Sequence, residues 1–205
     1  METPTHFSPG DEPYIGLKAL YVFDVLIKSA LELAAKLAAR TRAGELTELQ
    51  RAAAQIVPQG LNIALSIREL VRQAHLFPAL VLLRSLVERA AILQYLRENP
   101  GALPMWERGW NHGERPSLLK MLKATHATRD DEGARMTCDF LNHLVHGDPY
   151  AAEYNLVALG EDAWGYGVGR NLTDAPLCDF VCDQSISWLT VLAANANACF
   201  PAQPH

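Results

Sequence analysis

The sequence predicts an all-α protein, an antiparallel helical bundle of about six helices with a glycine-rich loop or small hairpin before the last one. Three observations predict this fold. Apolar residues recur at helical spacing over most of the chain, and many of them are Ala and Leu, which favour helix. Glycine, proline and capping residues divide this pattern into segments of helical length. Only residues 148–172, which contain four glycines, lack a helical period.

The first two predicted helices are long. The first covers residues 14–40, and Gly44 follows it as a stop signal. The second covers residues 45–75. Pro58 lies inside it and has no backbone N–H to donate, so we expect this helix to be kinked or split near Val57.

The third helix, residues 78–98, begins at Pro78, which the first turn of a helix tolerates. Its apolar residues lie on every side, and such a helix is expected to be central and buried. Arg84 and Glu88 nevertheless lie one turn apart on one of its faces. If that face is inside, the two charges must be paired. They are interpreted either as an internal ion pair that fixes helix register or as the lining of a polar pocket.

The remaining predicted helical segments are residues 105–110, 116–125, 131–146 and 175–198. Thr128 or Asp130 is expected to cap the third of these, and Gly147 to end it. The glycine-rich segment is not a phosphate loop, because it lacks the Lys-Ser/Thr ending. Its Trp164 and Tyr166 are interpreted as packing and turn elements, with stacking on a ligand or base as the alternative.

The composition is that of a globular chain. With 205 residues, of which 49% are hydrophobic and 20% charged, the chain can bury a core without disulfides. We expect one domain over residues 14–199, a flexible N-terminus over residues 1–13 and a flexible C-terminus over residues 200–205. The net charge of −5 gives no general attraction to nucleic acid, so any contact with RNA must rest on a local basic cluster.

The predicted location is the cytoplasm. Residues 1–13 lack the basic end and apolar core of a signal peptide. No uncharged apolar run reaches the length of a membrane span, so no membrane partner is predicted. Four cysteines fit a reduced cytoplasmic protein. Cys178 and Cys182, four residues apart, are interpreted as buried small side chains rather than as a redox pair.

A polar stripe runs along the helix predicted over residues 131–146. Its members stand at i, i+4, i+7 and i+11, which places them on one face: Arg135, Asp139, Asn142 and His146. Such a stripe either faces water or meets another polar surface inside the bundle. The third helix offers a matching surface, so we expect Arg84 and Glu88 to face Asn142 and His146.

The two histidines of this helix admit other interpretations. His143 and His146 are three residues apart and can present two imidazoles to one metal, with Glu88 or His112 completing a site. No cysteine or carboxylate stands beside them at a standard metal spacing, so neither a metal nor a cofactor is predicted. His146 can instead serve as the cap of the helix C-terminus, where a cation or donor is favourable.

The segment from Asn142 to Gly147 resembles the signature end of HEPN domains, which are compact helical bundles of bacterial toxins and defence proteins. Their usual pattern is Arg, a polar residue, three variable positions and His, often followed by Gly. Asn142, His146 and Gly147 match, whereas Leu141 stands at the position of the Arg. The segment from Leu82 to Glu88 resembles the Arg-x-x-x-Glu helix of related bacterial families, and the resemblance covers residues 77–146.

The resemblance implies a bacterial, metal-independent ribonuclease that acts in a homodimer. In this interpretation His146 transfers a proton, Arg84 stabilises charge, and Asn142 and Glu88 complete the site. The support comes from the remaining polar side chains of the same helix: Arg135, Asp139 and His143. Leu141 cannot replace a guanidinium, so activity is expected to be reduced or lost. The alternative is a non-catalytic module that dimerises or binds a protein partner of the antitoxin kind.

Overall fold

The computed structural model of the chain describes residues 12–42, 44–111, 113–125, 128, 130–158, 160 and 163–201. In chain order the elements are α1 Lys18–Thr41, α2 Glu48–Arg72, α3 Leu76–Glu98, α4 Leu103–Glu107, α5 Leu118–Lys123, α6 Asp131–Val145, α7 Pro149–Ala152, β1 Leu156–Ala158, β2 Trp164–Tyr166 and α8 Ala175–Cys199. Single 3-10 turns precede α4 and follow α7. The prediction of an all-α helical bundle is confirmed.

The centre of the bundle is α3, as its apolar surface on every side predicts. It packs against α2 and α8, while α5 and α6 cover its remaining surface. Its largest buried side chains are Leu76, Leu80, Leu83, Leu86, Leu93 and Leu96. The last helix, α8, is long and apolar enough by composition to cross a membrane. In this structure it packs against α1, α2 and α3.

Helix α2 runs through Pro58 without interruption, so the predicted split near Val57 does not occur. Val57 precedes the proline and Leu61 follows it, and both are buried in the core. Tertiary packing on both sides therefore holds the helix together where the loss of a backbone donor would break an isolated one. At its start, Thr47 and Gln50 exchange side-chain hydrogen bonds with each other's backbone N–H, at 3.2 and 3.0 Å.

The ends of the domain extend beyond the predicted limits. Most of the N-terminus that the sequence assigns to a flexible tail lies outside the described residues, but Glu12 is fixed by two hydrogen bonds from the Arg72 guanidinium. Phe200, also assigned to a tail, is buried, and its carbonyl accepts a hydrogen bond from Arg40 Nη1. Apolar burial therefore makes Phe200 part of the core.

Asp130 caps α6, because its Oδ1 accepts a hydrogen bond from the N–H of Gly133 at 2.8 Å. Thr128, the other candidate, is buried and donates its hydroxyl hydrogen to the Leu122 and Thr125 carbonyls. Gly147, with φ of +68°, supplies the left-handed residue after the helix. The cap and the stop flank a helix that begins and ends close to its predicted limits.

We expect Gly133→Ala to destabilise the protein, although alanine favours helix over glycine. A Cβ at this position would stand 2.2 Å from the carbonyl oxygen of Thr128, which is backbone and cannot simply rotate away. The expected loss is about 1–3 kcal/mol in the free energy of unfolding, measured by urea denaturation. Gly101→Ala is the control, because its Cβ would meet no atom within 4 Å. A Gly133→Ala variant as stable as the parent would contradict the close contact.

The glycine-rich segment forms a small hairpin, which is one of the two predicted alternatives. Strands β1 and β2 are antiparallel, with Leu156 opposite Tyr166. The segment is tied to the corner between α2 and α3, where the N–H of Asn171 donates to the carbonyl of Ala74 at 2.8 Å. The interpretation of Trp164 and Tyr166 as packing residues is wrong, because they are 68% and 72% exposed. The face of the hairpin that carries Trp164 and Tyr166 is therefore open to solvent.

Candidate functional site

Arg84 of α3 contacts Asn142 of α6, and this contact is the start of the candidate site. The Nη1 of Arg84 donates a hydrogen bond to Oδ1 of Asn142 at 2.5 Å, and its Nε donates to Oε1 of Glu88 at 3.3 Å. The structure therefore brings together three of the four residues that the sequence proposes as a site. The Arg84 and Glu88 side chains are only 22% and 17% exposed, so they lie at the edge of the core.

Glu88 is shared by three guanidinium groups. Arg84 reaches one carboxylate oxygen, while Arg89 and Arg115 reach the other at 3.6 and 3.3 Å. Three positive charges against one negative charge leave a local excess of two positive charges. We call these four residues with Asn142 the arginine cluster. Arg115, which the sequence did not single out, lies just before α5 and has a side chain that is 51% exposed.

His146 stands at the C-terminal end of α6 with an exposed side chain. Its backbone N–H donates to the carbonyl of Asn142 at 3.1 Å. Within the part of the chain that the structure describes, its imidazole makes no hydrogen bond or ion pair with Arg84, Glu88 or Asn142. His146 is the C-cap residue of α6, as one interpretation of the sequence expects, and it caps through its backbone, since its side chain does not bond the last carbonyls. His146 is therefore beside the arginine cluster in sequence but free to meet a ligand.

The polar stripe of α6 divides between two environments. Asn142 turns toward α3, whereas Arg135, Asp139 and His146 are exposed to solvent. The expected contact of Arg84 with Asn142 is therefore present, whereas no hydrogen bond or ion pair joins His146 to Arg84 or Glu88 among the described residues. With about 100° between successive residues of a helix, His146 lies between Asn142 on one side and Asp139 on the other. His146 thus occupies a ridge that borders the arginine cluster.

Leu141 belongs to the core. It is 1% exposed and lies on the buried face of α6 with Ala134, Cys138 and Leu144. The position at which HEPN domains carry their arginine is therefore a core packing position in this chain. A guanidinium at residue 141 would have to displace core atoms, so the positive charge of the site comes from α3 and the segment before α5 instead.

His143 forms a pair that the sequence did not reveal. Its Nδ1 lies 2.9 Å from Oδ2 of Asp148, and its ring centroid lies 5.5 Å from that of Tyr150. The other oxygen of Asp148 accepts the backbone N–H of Tyr150 at 3.1 Å. These two hydrogen bonds, that from Tyr150 first, lower the pKa of the Asp148 carboxyl. The sequence Asp148-Pro149 could have revealed Asp148 as a helix cap, because Asp followed by Pro is a typical helix start, but it does not indicate the contact with His143.

The four cysteines are buried and have no disulfide partners. Burial raises the pKa of the Cys138 thiol, which accepts a hydrogen bond from the Asn142 amide at 3.7 Å. Burial also raises the pKa of Cys199 to about 11. Hydrogen bonding with Cys178, and then burial, raise the pKa of Cys182. The thiols of Cys138, Cys182 and Cys199 are therefore protonated at neutral pH, and the burial of Cys178 and Cys182 fits their interpretation as small buried side chains.

The metal interpretation of the two histidines finds no ligand set among the residues that the structure describes. No group of three His, Cys, Asp or Glu side chains comes together there. His143 is engaged with Asp148, and His146 points into solvent. His112, named with them as a candidate ligand, lies outside the described residues.

Comparison with models of known protein families, with curated proteins and with solved structures finds no match to this chain. The resemblance to HEPN domains therefore rests on residues 84–88 and 142–147 alone.

Proposed function

We propose that the protein is a HEPN-like ribonuclease that cleaves single-stranded RNA without a metal ion, with Arg84, Glu88, Asn142 and His146 as its site. The observation that supports this proposal most is the arginine cluster. A chain with a net charge of −5 concentrates three guanidinium groups around one carboxylate, next to an exposed histidine. A local positive site of this kind suits one phosphate of a polyanion.

Arg84 can bind a phosphate without giving up its present contacts. A guanidinium has five N–H donors, and Arg84 uses one of them on Asn142 and one on Glu88. The two contacts fix the orientation of the guanidinium, and the remaining donors are available to phosphate oxygens. Arg115, with half of its side chain exposed, is the second phosphate contact. Asn142 and Glu88 are therefore positioning residues in this proposal.

The proposed reaction is attack of a ribose 2′-hydroxyl oxygen on the adjacent phosphorus. The new O–P bond forms as the bond from phosphorus to the 5′-oxygen breaks, and negative charge grows on the other phosphate oxygens. Arg84 stabilises that charge. His146 either takes the proton of the 2′-hydroxyl as a base, with water protonating the departing 5′-oxygen, or protonates the 5′-oxygen as an acid, with water taking the 2′-hydroxyl proton.

The phosphate contact is tested by RNA affinity in Arg115→Ala. We expect single-stranded RNA to bind about fivefold more weakly, because one exposed charged contact is worth on the order of 1 kcal/mol. The logarithm of affinity should also fall less steeply with the logarithm of salt, by about 0.7, because one phosphate contact is lost. Arg51→Ala is the control, an equally exposed arginine that pairs with Glu107 instead. Unchanged affinity and slope in Arg115→Ala would contradict the proposal.

A second candidate function, a non-catalytic interaction module that forms homodimers, is favoured by the hairpin. Cross-strand partners share a face, so Leu156, Trp164 and Tyr166 present one apolar surface. Val168, just after β2, is fully exposed as well. Aromatic residues are enriched in protein interfaces and seldom cluster on a free surface without a role.

We expect the double variant Trp164→Ser, Tyr166→Ser to convert a dimer into a monomer, as measured by light scattering on the full chain. The side chains of both residues are largely exposed, so their loss should leave the helical circular dichroism unchanged. Ile15→Ser is a control, because this side chain is also 67% exposed but lies before α1. Equal masses for the parent and the double variant would exclude dimerisation through the hairpin.

A further inference from the structure

A second concave surface lies beside the arginine cluster, on the other side of the α6 ridge. It is a cleft of 510 Å³ between α3, α6, α7 and α8. Such a volume is in the range of small-molecule sites. Leu83, Val87 and Leu141 line its floor, and Trp188 of α8 closes one side. The neighbours of Leu83 and Leu141 in sequence are Arg84 and Asn142, so the cleft and the cluster share the same two helices.

The walls of the cleft are aromatic. Phe140 and Phe180 stand edge to face with their ring centroids 5.7 Å apart, and Tyr150 lies beside His143. Phe180 is 38% exposed and Tyr150 is 44% exposed, while Met136 at the rim is 67% exposed. Large side chains are thus left open to solvent around one concavity. A flat aromatic ligand would cover them.

The polar groups that the described residues give to the cleft include one carboxylate and no guanidinium or ammonium group. Asp139 is exposed and, among the residues that the structure describes, forms no ion pair or hydrogen bond through its carboxylate. His143 lines the cleft with its Nδ1 engaged by Asp148, and Gln184 adds an amide. Among the described residues that line the cleft, Asp139 is the only Asp, Glu, Lys or Arg, so the cleft lacks the positive charge of the arginine cluster. A phosphate is therefore unsuited to the cleft, whereas a neutral ring with N–H donors is suited to it.

We infer that this cleft binds a guanine base, with Asp139 as the group that recognises it. The two oxygens of a carboxylate match two adjacent N–H donors on one planar edge. Guanine offers such an edge at N1–H and the 2-amino group, whereas adenine, cytosine and uracil place an acceptor next to each donor. The aromatic walls provide the stacking that holds a base out of an RNA strand.

This inference rests on the proposed ribonuclease function for its link to RNA, and it names the nucleotide that the site would select. His146 and Asp139 stand on the same exposed ridge of α6, with the arginine cluster on one side and the cleft on the other. A nucleotide whose base occupies the cleft would direct its sugar toward the ridge and its phosphate toward the arginines. His146 would then face the ribose, where the proposed proton transfer occurs.

The test uses nucleosides, which carry no phosphate and so cannot bind through the arginine cluster. Guanosine, inosine and adenosine are titrated into the full chain by calorimetry. We expect guanosine to bind at least tenfold more tightly than inosine, which lacks the 2-amino group, because one charge-assisted hydrogen bond is lost. Asp139→Asn should remove this preference. Asp183→Asn, an exposed carboxylate of α8 outside the cleft, should keep it.

A second variant separates stacking from edge recognition. Phe180→Ala should weaken the binding of guanosine and of inosine by the same factor, because both bases stack on the Phe180 ring. No guanosine binding, or equal binding of the three nucleosides, or an unchanged preference in Asp139→Asn, would overturn the inference. His146→Ala should still bind guanosine. Guanosine binding without RNA cleavage would refute the proposed ribonuclease and support guanine binding in the cleft. RNA cleavage without guanosine binding would support the ribonuclease and refute guanine binding in the cleft.

Discussion

His146→Ala is expected to lower the rate of RNA cleavage about 100-fold or more, because general acid–base catalysis by a positioned histidine contributes a factor of that size. The measurement uses labelled single-stranded RNA with EDTA present, so that contaminating metal-dependent nucleases are silent. The side chain of His146 is exposed and makes no hydrogen bond with the described residues, so its removal should leave the free energy of unfolding nearly unchanged. A loss of cleavage would then be a loss of chemistry rather than of fold.

The matched control is His75→Gln, which removes a histidine that precedes α3, well before the turn that carries Arg84. It should cleave RNA at the parent rate. Equal cleavage by the parent and His146→Ala would show that the activity comes from elsewhere or from a contaminant. Equal inertness of both would refute the ribonuclease and leave the interaction module as the better account of the chain.

Leu141→Arg is expected to destabilise the protein strongly instead of restoring the motif of the resembling family. Leu141 is 1% exposed and packs in the core, so an arginine there must either bury an unpaired guanidinium or push apart α3 and α6. An uncompensated buried charge costs about 3–5 kcal/mol. Urea denaturation followed by circular dichroism should show a loss of that size in the free energy of unfolding.

Leu141→Met provides the control for this substitution. It keeps the volume and the apolar character of the side chain, so the expected cost is under about 1.5 kcal/mol. A Leu141→Arg variant with parental stability and faster RNA cleavage would contradict the structure, since it would mean that residue 141 reaches the site. Comparing Leu141→Arg with Leu141→Met thus decides whether residue 141 can supply a guanidinium to the site or serves only as a core residue.

The helices were predictable because their determinants are local. Apolar periodicity places α1, α3, α6 and α8 within a few residues of their observed limits. Local chemistry fails where packing opposes it. Pro58 removes a donor, but α2 continues because apolar residues before and after it are buried. Phe200 stands in a short polar segment of the sequence, and only the packing of the helices shows that it is buried in the core.

The candidate site was predictable in part. The match between two polar surfaces predicted that Arg84 faces Asn142, and the structure brings these two residues together. Spacing pairs Arg84 with Glu88 and Asn142 with His146, because members of a pair share a helix. Spacing alone did not show that Asn142 turns toward α3 while His146 stays in solvent. Arg115 reaches Glu88 from a separate segment, and no periodicity connects the two. Contacts that cross between elements depend on how the helices pack, which a single sequence does not specify.

In the proposed ribonuclease, the contrast between the arginine cluster and the acidic remainder of the chain sets the shape of nucleic acid that can be accommodated. At about 0.1 M salt the field of an exposed charge fades within roughly 10 Å, so the three guanidinium groups attract only what comes very close. A pliable strand can bend one phosphate into contact while its other phosphates stay away from the surrounding carboxylates. A stiff duplex, with a persistence length of about 150 base pairs, cannot make that bend cheaply. In the proposed ribonuclease, the charge distribution therefore selects flexible strands, while the cleft beside it selects the base.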